Sequence, residues 1–96
     1  MKDVAEILQT VQAKPHIISR KEKNCYLLVN RKNGAVLAVN DLGIEIWNMM
    51  KEKVMIKNVI EELAKKYDVA FEESKGEVMR FVRELSVNEF LEMHTV

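Results

Sequence analysis

The feature that most restricts the fold is a pair of apolar runs around one turn: Cys25-Tyr26-Leu27-Leu28-Val29, then Asn30-Arg31-Lys32-Asn33-Gly34, then Ala35-Val36-Leu37-Ala38-Val39. Both runs are rich in residues that suit strands, and Asn33-Gly34 between them is a strong hairpin signal because both residues tolerate positive φ. A two-residue turn there sets Lys32 opposite Ala35, Asn30 opposite Leu37 and Leu28 opposite Val39. Tyr26, Leu28, Leu37 and Val39 then share one face, and Cys25, Leu27, Val29, Val36 and Ala38 share the other. A longer loop shifts the pairing but leaves both faces apolar. A small sheet of this kind is expected to be covered on both sides.

The flanking segments supply candidate covers. Val4, Ile7, Leu8 and Val11 recur at spacings of three and four, which predicts a short amphipathic helix over residues 3–12, ended by Pro15. That segment is expected to lie on apolar surface, either in its own chain or in a second copy, as in a homodimer. His16–Arg20 reads as a first strand and Lys21–Asn24 as a polar connection. After Val39 the period changes from two to 3.6. Asn40 is a good N-cap for a helix carrying Leu42, Ile46, Trp47, Met49 and Met50. Lys51-Glu52-Lys53 breaks it, and Ile56, Val59, Ile60, Leu63 and Tyr67 mark the next helix. Asp68-Val69-Ala70 connects to a third, from Phe71 to about Ser86, with Val78, Phe81, Val82 and Leu85. Asn88-Glu89 then turns into Phe90-Leu91.

Three strands followed by three helices read as an α+β fold, and three closely linked helices beside a small sheet suggest a winged helix-turn-helix. Ninety-six residues suffice for one such domain, spanning residues 1–96.

Composition narrows the function. Fifteen Lys and Arg balance fifteen Asp and Glu, whereas a protein that grips a phosphate backbone usually carries a basic excess. The balance is uneven along the chain: residues 1–34 hold seven basic side chains against three acidic, and residues 35–96 hold eight against twelve. That division fits a solvated, self-complementary surface or a site for a partner of mixed charge. No apolar run is long enough to span a bilayer, and no secretory signal follows Met1-Lys2-Asp3. With one cysteine no intrachain disulfide can form, consistent with a reducing cytoplasm.

The ingredients of catalysis are sparse. Gly34, Gly43 and Gly76 form no phosphate-cradling loop. His16, Cys25 and His94 lack the spacing of a zinc site, and Cys25 lies in an apolar run, where an inert buried thiol is expected. The pairs Glu61-Glu62 and Glu72-Glu73 are adjacent on helices, hence roughly 100° apart around the axis, and do not face each other as acid and base. We expect a binding module with no catalytic residue, no metal and no organic cofactor.

The stretch from Asn33 to Trp47, with its turn glycine, its strand ending in Val39-Asn40 and its helix bearing Gly43 and Ile46-Trp47, resembles the PqqD-like family. The resemblance continues through Ile56–Val69 and ends with Val78, Phe81, Leu85 and Phe90-Leu91-Glu92, covering roughly residues 15–92. Met55, Ala70 and Glu89 depart from the family pattern, which has capping residues at the first two positions and glycine at the third. The resemblance implies a non-catalytic winged-helix adapter. Such an adapter binds the leader segment of a ribosomally made precursor peptide and presents it to a modifying enzyme, often a radical S-adenosylmethionine enzyme. It implies that the leader adds as a strand to the third strand, here Ala35, Val36, Leu37, Ala38 and Val39, and lies against the third helix.

The residues are compatible with that implication. The last strand of a meander has an open edge, and this one lacks the Lys, Pro or bulge that blunts such edges. Either the chain or a second copy covers it, or it awaits a strand. On the helix, Lys75, Met79 and Val82 form one stripe beside the line of Val78, Phe81 and Leu85. Lys75 is placed to meet an acidic leader residue, and Met79 and Val82 to receive apolar anchors, unless both belong to the core. Two other readings compete. A DNA-binding winged helix needs a basic recognition helix, and the third helix mixes Glu72, Glu73, Glu77 and Glu84 with Lys75, Arg80 and Arg83. A purely structural dimerisation or docking domain is the other.

Overall fold

The structure is a computed structural model that describes the backbone of residues 2–94 and the side chains of residues 5–94. In chain order it contains α1 (Lys2–Ile7), β1 (Thr10–Ala13), β2 (Ile17–Lys21), β3 (Tyr26–Asn30), β4 (Val36–Val39), α2 (Asp41–Met49), β5 (Val54–Met55), α3 (Ile56–Tyr67), α4 (Phe71–Val87) and β6 (Leu91–His94). The expected α+β order is present: a three-stranded antiparallel sheet, β2-β3-β4, followed by three helices.

The hairpin forms with a longer loop than the two-residue turn. Tyr26 pairs with Val39, Leu28 with Leu37 and Val29 with Val36, and the Asn30 N–H donates to the Ala35 carbonyl at 2.9 Å. A two-residue type I′ turn needs positive φ at both central positions. Only Gly34 adopts it, at φ +78°. Asn30 and Asn33 organise the loop instead: Asn30 Oδ1 accepts the Lys32 N–H at 3.0 Å, and Asn33 Oδ1 accepts the Ala35 N–H at 2.8 Å. The pairing slips by an even number of residues, so the expected faces survive.

Those faces have different fates. Leu28 and Val39 are buried, and Tyr26 and Leu37 pack against the same core. The outer face carries Ile18, Leu27, Val29, Val36 and Ala38, none of which joins the core, and Val36 is 59% exposed. The expectation that both sides would be covered therefore fails within the described residues, because the helices all pack on one side.

The N-terminal segment also departs from expectation. The helix ends at Ile7, and Val11 sits on strand β1, fully buried. The side chain of Val4, the first of the expected stripe, lies outside the described residues. β1 is the central strand of a second sheet, β5-β1-β6, pairing Thr10 with both Met55 and His94. The segment does cover apolar surface in its own chain, but through α1 against α3 and through this second sheet, not over the hairpin.

The remaining helices follow the sequence pattern closely. Asn40 caps α2, accepting the Gly43 N–H at 2.8 Å. Neither Met55 nor Ala70 supplies a side-chain cap to α3 or α4. The first N–H of α3, at Ile56, is satisfied by the Gln9 carbonyl at 2.9 Å, so the strand segment beside it replaces the missing cap. α4 ends in a reversal: Glu89 N–H donates to Ser86 O and Phe90 N–H to Leu85 O, with Glu89 left-handed at φ +61°. This brings Phe90 into the core, edge-on to Trp47 at 6.4 Å between ring centroids and 89° between planes.

Candidate functional site

The site begins with the backbone of β4. Antiparallel pairs alternate between hydrogen-bonded and non-bonded positions. Asn30 and Ala35 form a bonded position, so Leu28–Leu37 and Tyr26–Val39 do too. The N–H and C=O groups of Val36 and Ala38 consequently point away from β3, toward the open edge. No described strand pairs with that edge. It carries neither Lys nor Pro, and the flanking side chains of Val36 and Ala38 are exposed.

Beside the edge runs a groove of about 200 Å³. One wall is Ala38, Val39 and Asn40; the floor is Leu42, Gly43 and Ile46 of α2; the far wall is Glu77, Arg80, Phe81 and Glu84 of α4. Gly43 lets α2 approach the end of β4, since a Cβ there would lie 3.0 Å from the Val39 Cβ. A longer side chain would push α2 away or fill the groove floor. The α4 wall is one stripe, at spacings of three, one and three. Phe81 lies at its buried border, and Glu77, Arg80 and Glu84 are exposed.

The expected site residues divide. Val36, Leu37, Ala38 and Val39 lie on the edge strand. Ala35 precedes it, half-buried, with its carbonyl taken by Asn30. The structure does not bring Lys75, Met79 and Val82 to this groove. They occupy the opposite side of α4, about 180° around the axis from Glu77 and Glu84. Met79 and Val82 are buried in the core cluster that includes Ile7 and Val11. Lys75 is mostly covered, 3.9 Å from Glu72, in a separate depression with Glu6 and Arg83. The α4 residues that line the groove instead are Glu77, Arg80, Phe81 and Glu84. Their shared stripe was visible, but the core line of Val78, Phe81 and Leu85 has two flanks, and nothing local to α4 says which one fronts β4.

Two polar clusters frame the groove. Asn30 is buried, its Nδ2 donating to the carbonyls of Asn88 at 3.2 Å and Glu89 at 3.0 Å. This ties the hairpin to the end of α4. On the helical side, the Glu45 carboxylate accepts hydrogen bonds from the Lys66 ammonium and the Tyr67 hydroxyl, joining α2 to α3. Those bonds hold the Glu45 carboxyl below its ordinary value, Lys66 foremost and Tyr67 next. Among the described residues, no group of three or more His, Cys, Asp or Glu is placed to hold a metal ion. No helix among them is long and apolar enough to cross a membrane.

No curated protein matches the chain in sequence. Among solved structures it is similar to TbiB1 in complex with the TbiA(beta) leader peptide, with a TM-score of 0.72 and 18% identity over 84% of this chain and 94% of that one. At that identity the likeness speaks for the fold. The family model described as coenzyme PQQ synthesis protein D matches residues 25–91, which spans the hairpin, all three helices of the groove side and the Phe90-Leu91 return. The chain belongs to the PqqD family.

Proposed function

We propose that this protein is a non-catalytic adapter that binds the leader segment of a ribosomally made precursor peptide by strand addition to β4. The observation that carries the reading is the open edge at Val36 and Ala38, set beside a groove walled by α4. Main-chain hydrogen bonds to those two residues supply affinity with little regard to sequence, and the groove selects alternate side chains. Family membership supports it, and so does the fold neighbour, which was solved with a leader peptide. The helix-side contacts in this proposal are Glu77, Arg80, Phe81 and Glu84 in place of Lys75, Met79 and Val82.

The adapter presents the bound peptide to a modifying enzyme in the cytoplasm, of the radical S-adenosylmethionine type. The experiment is a titration of the leader segment of a precursor peptide encoded beside this gene into wild-type protein and Ala38→Pro. Pro is tolerated at an outward-pointing position of an edge strand, so the variant stays folded and loses roughly ten- to hundredfold in affinity. Equal affinity for both proteins contradicts strand addition.

A further inference from the structure

Past the end of β4 lies a second cavity of about 350 Å³ between α2, α3 and α4. It adjoins the groove, since Leu42 and Glu77 line both. The cavity's walls are Leu42, Leu63, Tyr67 and Val69, and its rim carries Asp41, Glu73 and Glu77. Its interior offers an occupant almost no hydrogen bonding. The Ser74 hydroxyl is spent on the Ile60 carbonyl at 2.7 Å, and the Tyr67 hydroxyl on Glu45, which leaves the tyrosine presenting its ring.

The rim is acidic, and among the described residues none of its three carboxylates is ion-paired. Along the groove itself Glu84 adds a fourth carboxylate and Arg80 the single cation. An apolar hole edged by carboxylates fits an apolar side chain with a cation beside it.

We propose that this cavity is the specificity pocket of the site, taking an apolar residue flanked by Lys or Arg from the same peptide segment that lies on β4. The inference rests on the strand-addition reading and adds the chemistry of the ligand, basic and apolar. The occupant is the continuation of that segment because the cavity begins where the edge strand ends.

The test is selection of displayed random peptides of about ten residues, a strand's length, on four proteins: wild type, Ala38→Pro, Val69→Trp and the double variant Glu73→Gln/Glu77→Gln. Wild type is expected to enrich peptides in which Leu, Phe or Trp stands beside Lys or Arg. Val69→Trp fills the cavity, and should bind those peptides about tenfold more weakly and select without the apolar residue. The double variant changes only exposed side chains. It should keep the apolar preference, lose the Lys or Arg, and lose the weakening of binding by salt. If Ala38→Pro abolishes binding while the other two variants select the wild-type motif at wild-type affinity, strand addition stands and the pocket assignment is wrong. If Ala38→Pro binds the selected peptides unchanged, or wild type enriches nothing, the strand-addition reading falls and takes the pocket with it. Should Val69→Trp convert a dimer to a monomer without changing the selected motif, the cavity holds a second copy of the chain and the inference is overturned.

Discussion

The two sheets have three strands each and are opposite in kind. β2-β3-β4 is a meander of neighbouring segments, exposed on its outer face and, among the described residues, unpaired along the outer edges of β2 and β4. β5-β1-β6 gathers residues from the two ends and the middle of the chain, and its central Val11 is completely buried. The first is a surface with unmet hydrogen-bonding capacity. The second is a clasp that joins the N-terminal segment, the start of α3 and the return from α4. The contrast teaches that the exposed edge of β4 does not betray a poorly folded sheet. The molecule closes elsewhere, through the second sheet, and among the described residues the outer edge of β4 stays unpaired beside the groove.

Paired substitutions sharpen the contrast. Val11→Asp puts a carboxylate into the core at the middle of the clasp. It should cost about 4 kcal/mol or more and leave the chain unfolded in a thermal melt. Ile18→Asp, on the outer face of the hairpin sheet, should stay within about 0.5 kcal/mol of wild type. Leu37→Pro removes an N–H that faces β3 and should cost about 3 kcal/mol, whereas Ala38→Pro, one residue on, removes an outward N–H and should spare the fold. Asn30→Leu strands the Glu89 carbonyl and leaves the Asn88 carbonyl with Asn33 Nδ2 alone, and a loss of about 2 kcal/mol should appear as a lower urea midpoint at unchanged slope.

Smaller effects follow at the helix ends. Glu89 holds a left-handed conformation without being glycine, and its contact with Lys14 is a long, exposed 3.9 Å. Relief of that strain outweighs the added freedom of the unfolded chain, so Glu89→Gly should raise stability by up to about 1 kcal/mol. The smallest effect concerns pH. Glu45 is held below its ordinary value of 4.5 by Lys66 and Tyr67. A depressed carboxyl contributes stability above the unfolded value and loses it as pH falls through the folded one. Glu45→Gln should therefore lower stability slightly in the neutral range and flatten the decline below pH 4.5, so that the two proteins converge in acid.

How legible each part was follows from how local its causes are. The hairpin faces were readable because side chains alternate strictly, and a slip of two residues preserves them. The loop length was not, because it depends on Asn30 and Asn33 bonding their neighbours' amides. Asn40 and the three helices were readable from capping and period. Thr10–Ala13 was not: over ten residues Val4, Ile7, Leu8 and Val11 fit a helix, and the strand exists only because Met55 and His94 arrive beside Thr10. Which side of α4 fronts β4 was not legible for a related reason. Lys75-Met79-Val82 and Glu77-Arg80-Glu84 flank the same core line, and the choice between them is made by where β4 lies, which α4 does not encode.

The central claim is that β4 receives a strand. Amide hydrogen exchange, residue by residue, tests it most directly, with and without a saturating peptide selected on the wild-type protein. The account predicts that the amides of Val36 and Ala38, fast in the free protein, slow markedly on binding while Leu37, already bonded to β3, changes little. A peptide that binds at saturation and leaves Val36 and Ala38 exchanging at their free rates would contradict it.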